Sequence, residues 1–276
     1  MNDITVVVNT LNEAANIGLL LRSVRDLGAQ IVVVDMHSDD DTVAICRAAG
    51  ARVYLHERCG YVEPARAFAM EQVSTDWVLL MDADEILTPQ LLSSVVDFSA
   101  NRRGDVLMIP RKNFLLGGVI NHTGWSADSD RQIRFFKKTA VSFTDKIHDG
   151  IHIRPESTVR QGRFSEMSGL IHFNCLSLEE FVGKLNKYTS VEARAVAVRP
   201  HVLMPIARGV FEFGRRYFYQ RGFLDGWRGL YLCICMAFYK FLVFSKAYEL
   251  GRVGAPADVK AHYKDVAMAT IEGSGK

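Results

Sequence analysis

The chain has 276 residues, enough for one large α/β domain with a full core or a domain plus a smaller appendage. It is 49% hydrophobic and 23% charged with a net charge of +2, so it is neither a disordered chain nor one with the basic surplus of a nucleic-acid binder. The five cysteines, Cys46, Cys59, Cys175, Cys233 and Cys235, form no zinc or CxxC pattern and read as reduced thiols of a cytoplasmic protein. The start, "MND" leading straight into "ITVVV", has no basic segment or cleavage site, so no signal peptide is expected.

In chain order, "ITVVV", "IVVVD", "ARVYL" and "DWVLLM" are short β-branched or aliphatic runs of the kind buried on both faces of a sheet. Helical stretches lie between them, at residues 13–27, 40–49 and 63–73. Alternation of this kind predicts a mainly parallel sheet with right-handed crossovers and helices on both faces. From about Asp105 the texture changes. "DVLMIPRKNFLLGGVI" reads as two strands joined at Gly117-Gly118, "RQIRFFKK" as a further strand, and residues 144–169 as a long active-site loop. Ser177 opens a long helix with Glu180 at capping-box spacing. These shifts suggest a catalytic domain over 1–199, made of a nucleotide-binding half (1–104) and an acceptor half (105–199), and a C-terminal amphipathic helical region over 200–276.

The run "DWVLLMDADE" drives an apolar strand into Asp82, Asp84 and Glu85. Carboxylates this close need water, basic partners or a cation. In open α/β sheets ligands bind at the carboxyl ends of strands, where hard oxygen ligands suit Mg²⁺ or Mn²⁺ carried in with a diphosphate. The competing role is an N-cap for a helix beginning near Thr88-Pro89. "NTLNEAANI" places Asn12 and Glu13 at the first strand-to-helix turn, and Asp35 ends the second strand, where a carboxylate can accept from an imide N–H or ribose hydroxyls. Asp40 and Thr42 read as helix caps.

The ordered set "TLNEAANI", "VVVDMHSDDDT", "PARAFAM" and "DWVLLMDADE" resembles the family 2 inverting glycosyltransferases of GT-A fold. "GWSADSDRQIRFF", "DKIHDGIHI", "SGLIHFNCLSLEEFVGKLNKYT" and "GFLDGWRGLY" extend the likeness to the subgroup that builds lipopolysaccharide cores. The resemblance implies that Asp82 and Asp84 form a DxD motif binding a divalent metal, Mg or Mn, and the sugar-nucleotide phosphates. It implies a nucleoside edge of Thr10, Asn12, Glu13 and Asp35, a basic contact at Arg66, and a loop histidine, His148, completing the metal shell. Family members commonly carry asparagine after that basic residue; Ala67 stands here.

Inverting transfer needs one base on the acceptor side, unlike the carboxylate pair of a glycosidase. Asp130 fits the subgroup pattern Asp-x-Gln-x-Arg through Gln132 and Arg134, with Asp128 as a rival. The expected function is transfer of a sugar from a UDP-sugar to a lipopolysaccharide-core, lipid-linked or other cell-envelope glycan. A nucleotidyltransferase of related fold would show a Gly-rich basic loop after the first strand, and a non-catalytic sugar-nucleotide scaffold would not need all of Asp35, Asp82, Asp84 and Asp130. Residues 205–252 carry eight basic and three acidic residues among many aromatics, and their longest uncharged run, residues 229–239, is short for a bilayer crossing. This predicts amphipathic helices on an anionic membrane surface, at the inner face of the cytoplasmic membrane, with no nucleic-acid partner; the alternative is a helical pair packed on the domain. The oligomeric state is not legible.

Overall fold

A computed structural model describes residues 3–58, 62–144, 150–197, 201–254 and 256–273. Contacts divide the chain into two units, Met1–Leu176 and Ser177–Lys276. The sequence reading ended the first domain at residue 199. The contact division instead groups the helix that follows Ser177 with the C-terminal helices.

The first unit is an α/β layer structure. Its strands are β1 (Ile4–Thr10), β2 (Gln30–Asp35), β3 (Arg52–Leu55), β4 (Trp77–Asp82), β5 (Glu85–Leu87), β6 (Val106–Leu115), β7 (Gly118–Val119), β8 (Arg131–Lys137), β9 (Val141–Phe143), β10 (Ile151–Ile153), β11 (Val159–Gln161) and β12 (Leu170–Cys175). The main sheet runs β3-β2-β1-β4-β8-β6-β12-β5. β3, β2, β1 and β4 are parallel. β8 is antiparallel to both β4 and β6, while β12 is parallel to β6 and antiparallel to β5. The helices α1 (Ile17–Ser23), α2 (Thr42–Ala48) and α3 (Glu63–Glu71) supply the crossovers expected from the sequence, and α4 (Pro89–Ala100) follows β5.

Every residue of β1 is buried, because helices cover both faces of the sheet. Val6 and Val8 pack with Leu20, Leu91 and Phe135 on one face. Val7, Val32 and Val34 pack with Ala65, Ala69 and Met70 of α3 on the other. Each such side chain contributes about 1.5–3 kcal/mol by burial, so a charge at Val7 would break the layer. Trp77 stacks on Phe135 with centroids 4.9 Å apart and meets Phe98 edge-on at 5.8 Å, closing the core beneath β4.

The hairpin between β6 and β7 turns at Leu116 and Gly117, both with positive φ (50° and 73°), the geometry of a tight two-residue connection. The segment read as a long loop, residues 144–169, contains β10, β11 and the short helix α5 (Phe164–Met167). β11 lies beside β6 with all three of its residues exposed, so no apolar alternation marked it in the sequence.

In the second unit Ser177 Oγ accepts from the Glu180 amide at 3.1 Å and starts α6 (Leu178–Ala195), as its spacing predicted. α7 (Met204–Gly214) continues through a π-helical turn, Arg215–Tyr219, whose wider winding shows in the Gln220 N–H donating to the Arg215 carbonyl at 2.9 Å. A short 3₁₀ turn leads into α8 (Gly226–Val253), and α9 (Pro256–Gly273) follows. At Gly229 a Cβ would stand 2.0 Å from the Gly222 carbonyl oxygen, so the turn closes onto α8 only with glycine there. Lys246 donates from α8 to Asn186 O, Asn186 Oδ1, Thr189 Oγ1 and Ser190 Oγ of α6 at 2.8–2.9 Å. Tyr239 and Lys240 both donate to Glu192.

The sequence reading found no segment long enough to span a membrane. Helix formation changes this: across Gly222–Val253 an 18-residue window has mean hydropathy 1.5, and 28% of it is buried. By length and composition this segment could cross a bilayer, because isolated lysines interrupt the uncharged run without ending the helix.

Candidate active site

The carboxyl ends of β1, β2 and β4 lie side by side, with Thr10 opposite Asp35 and Asn9 opposite Asp82 in register. Asp35 is fully buried. Its carboxylate accepts from Thr10 Oγ1 at 2.8 Å, from the Ser38 amide at 2.8 Å and from Ser38 Oγ at 2.6 Å. These contacts fill most of the roughly four acceptor positions of a carboxylate and leave space for about one further donor. Asn12, at φ 58°, donates its amide to Ser38 Oγ and accepts from the Asp39 amide. The Glu13 amide donates to Thr42 Oγ1 at 2.8 Å, and the Glu13 carboxylate accepts from Asn16 Nδ2 at 2.9 Å. Asp40 accepts from the Ala14 and Thr42 amides and so ties the first turn to the second, but the N-cap of α2 is Asp41, with no side-chain cap hydrogen bond, rather than the expected Asp40 or Thr42. Thr10, Asn12, Glu13 and Asp35 thus form one edge.

The acidic run is a turn between β4 and β5. It caps no helix: Thr88 Oγ1 accepts from the Leu91 amide and starts α4. Its three carboxylates face different partners. Asp82 accepts from Arg66 at 2.6 Å and from Arg134, with Arg111 at 3.9 Å. Burial alone would raise the Asp82 carboxyl, but Arg134, Arg66 and Arg111 outweigh it and hold it well below the usual carboxylate range. Glu85, fully buried, accepts from Arg134 at 2.8 Å and Arg111 at 3.2 Å and receives the Asp82 amide at 2.9 Å. Burial opposes the charge of Arg134, and Asp82 and Glu85 more than restore it, so its guanidinium stays ionised. Asp84 lies apart from the arginines, its Oδ2 3.4 Å from His172 Nε2.

His172 arrives there by register. On β12 it stands between Glu85 of β5 and Asn113 of β6. Its Nδ1 is 2.7 Å from Asn113 Oδ1, which fixes the ring and leaves Nε2 toward Asp84. A carboxylate and a ring nitrogen so oriented fit two protein ligands of a divalent cation whose remaining positions are phosphate oxygens or water. No group of three such side chains converges among the described residues. The expectation that Asp82 faces a cation meets a different geometry, since arginines occupy its carboxylate. His148 lies outside the described residues.

Arg111 links this turn to Asp130. Its Nε donates to Asp130 Oδ2 at 2.9 Å while its Nη1 holds Glu85. Asp130 also accepts from Asn113 Nδ2 at 2.7 Å and Gln132 Nε2 at 2.6 Å. Burial would raise the Asp130 carboxyl, but Arg111 and these amides hold it below its ordinary value. Asp128 is turned away: its Oδ1 accepts from the Phe164 amide at 2.9 Å and Arg131 at 3.2 Å, and its side chain is 53% exposed. The structure therefore joins Asp130, not Asp128, to the acidic turn.

Arg66, Arg111, Arg131, Arg134, Asp82 and Gln132 line a cavity of about 260 Å³ at this place. Two larger cavities of the first unit, about 870 and 800 Å³, open at the amino ends of the strands, beside Gln30 and Arg52 and beside Ile4 and Trp77. Volume alone would favour them. The converging charged groups lie at the carboxyl ends, where α/β sheets bind ligands, and that decides the assignment. The sequence reading gave no role to Arg111, Asn113 or His172. A signal existed for the first two, because their alternation on β6 puts both on one sheet face. His172 sat in a quoted motif, but a lone histidine in an apolar run carries no direction.

Residues 5–154 match the family described as glycosyl transferase family 2. An uncharacterized glycosyltransferase of Rickettsia typhi, RT0209, is 28% identical over 91% of this chain and 88% of its own length. The lipopolysaccharide core biosynthesis glycosyltransferase LpsC of Rhizobium meliloti is 29% identical over 87% of this chain and 89% of its own. Among solved structures, S. aureus TarS 1-349 in complex with UDP aligns with 91% of this chain and 92% of its own at 17% identity and a TM-score of 0.49. The chain belongs to glycosyl transferase family 2 and is a glycosyltransferase of GT-A fold with C-terminal helices.

Proposed function

We propose that the protein transfers a sugar, with inversion, from a UDP-sugar to a hydroxyl of a lipopolysaccharide-core or related envelope glycan. The observation that carries this is the Arg111 guanidinium, which holds an ionised Asp130 beside the acidic turn. The acceptor hydroxyl oxygen attacks C1 of the donor sugar and its proton passes to the Asp130 carboxylate. The bond from C1 to the diphosphate breaks, and UDP leaves with the electron pair. Only one catalytic carboxylate is needed, as inversion requires. Arg66 and Arg134, set around Asp82, face the place where phosphate charge develops. Asp84 and His172 would hold a divalent cation, Mg or Mn, which would supply charge neutralisation to the leaving diphosphate. Thr10, Asn12, Glu13 and Asp35 form the nucleoside edge, and the last acceptor position of Asp35 suits a single imide or ribose donor.

The likeness to LpsC supports the acceptor class. The aromatic and basic C-terminal helices support a peripheral site of action on an anionic membrane surface at the cytoplasmic face. The test is a screen of nucleotide sugars with Mn²⁺ by thermal shift and slow hydrolysis. UDP-sugars should raise the melting midpoint by mass action and be hydrolysed. Stabilisation by other nucleotide sugars and none by UDP-sugars would overturn the donor assignment.

A further inference from the structure

The turn between α7 and α8 leaves large apolar side chains in water. Phe218, Tyr219, Phe223, Leu224 and Trp227 are 65%, 86%, 47%, 56% and 51% exposed. The same turn is basic: residues 208–228 hold five arginines against Glu212 and Asp225. Glu212, nearly buried, already binds Arg215 at 2.7 Å and also Arg216, so those two arginines are structural. Arg221 is exposed at the apex, with φ 56°.

We propose that this turn seats in one leaflet of an anionic lipid surface and that α8 does not cross the bilayer. The inference rests on the membrane-surface reading above and deepens it to the residues and the depth. Aromatic side chains beside arginine suit the interfacial region, where ring and headgroup are both satisfied. The depth follows from α6. Tyr239, twelve residues beyond Trp227, donates to Glu192 and ties α8 to α6. At ~1.5 Å per residue the helix before that anchor is roughly 18 Å long, against about 30 Å of hydrocarbon. Beyond it, Lys240 and Lys246 bind α6, which exposes Glu179, Glu180, Lys187 and Arg194. A helix bound in this way to a charged, water-facing partner cannot be sheathed in lipid along its length. A second copy of the chain is the poorer occupant, because a two-fold contact would set Arg221 against its own counterpart.

The experiment is flotation of the full-length protein with phosphatidylcholine–phosphatidylglycerol vesicles. The wild type should float at low salt and less so at high salt. The variant Phe218→Ser/Leu224→Ser/Trp227→Ser should bind about tenfold more weakly or worse, with its melting midpoint and UDP-sugar hydrolysis unchanged. Should that variant fail to fold, the single substitution Arg221→Glu supplies the same test, with several-fold weaker flotation expected. A thiol at Glu249→Cys, near the far end of α8, should react with a membrane-impermeant maleimide on vesicles as fast as in solution. Flotation of both variants like wild type, or protection of that thiol, overturns the inference while leaving the membrane reading intact. A wild type that does not float overturns both, and UDP-sugar hydrolysis still reports on the transferase assignment separately. Dimerisation that the triple variant abolishes, without vesicle binding, would give the patch to a second copy instead.

Discussion

The Nε of Arg111 donates to Asp130 at 2.9 Å while the other side of the same guanidinium holds the buried Glu85. One side chain thereby fixes the distance between the acidic turn and the Asp130 carboxylate. Asp130→Asn is expected to lose about 10²–10⁴-fold in turnover with donor affinity nearly unchanged, as for removal of a general base. Asp128→Asn, whose carboxylate caps the Phe164 amide, should cost far less. A pair of turnover numbers with matched UDP affinities checks this; the reverse order would move the base to Asp128.

Arg111 also sets the pH range of Asp130. The folded-state pKa lies below the ordinary 3.8 because Arg111 and the amides outweigh burial. The sign follows: stability from this interaction is present above 3.8 and is lost as pH falls through the lowered folded value. The wild type should therefore keep Asp130 ionised throughout the neutral and mildly acidic range. In Arg111→Gln the largest influence opposing burial is lost and only Asn113 and Gln132 remain, so the acid limb of turnover should move upward. A pH profile with the acid limb unmoved would show that Arg111 does not tune the base.

Asp82 and Asp84 should separate in their effects. His172→Ala and Asp84→Ala are each expected to abolish the strengthening of UDP binding by Mn²⁺, since these two side chains face each other at 3.4 Å. Asp82→Asn should weaken UDP binding with or without metal, because it releases Arg66 and Arg134 from their present positions. Calorimetric titration of UDP with and without Mn²⁺ distinguishes the two patterns. Full metal enhancement in His172→Ala would remove the histidine from the site.

Glu85 tests the structural side of the same cluster. It is fully buried between Arg134 and Arg111. Glu85→Ala leaves two guanidinium groups without that partner in a dry place, and removing one member of such a cluster costs about 3–5 kcal/mol. Urea unfolding should show this as a lowered midpoint with a similar slope. A loss within about 0.5 kcal/mol, the range of ordinary surface substitutions, would mean water reaches the cluster.

Lys246 is the corresponding tie in the second unit. Its ammonium, with three N–H donors, lies within 2.9 Å of four oxygens of α6, and Thr189 among their residues is fully buried. Lys246→Met keeps the length of the side chain but removes the charged donor that ties α8 to α6, with an expected cost of about 1–3 kcal/mol. The readout is thermal unfolding of the full chain.

Much of the molecule was legible in its sequence because the relevant physics is local. β-branched runs with helical spacers gave β1 to β4 and their crossovers; β1 and β4, covered on both faces, had to be apolar nearly throughout. Ser177 and Glu180 marked α6, because a cap is a contact three residues long. Family motifs singled out Asp35, Asp82, Asp84 and Asp130, all of which the fold collects at the strand ends or beside them. The rest depended on register between distant segments. His172 reaches Asp84 only because β12 lies between β5 and β6, and Arg111 reaches both Asp130 and Glu85 only because β6 pairs with β8. Asp82 and Asp84 are two residues apart and chemically alike, yet one faces arginines and the other a histidine. A turn sends neighbouring side chains in different directions, and what each one meets is brought there by strands that no local pattern can place.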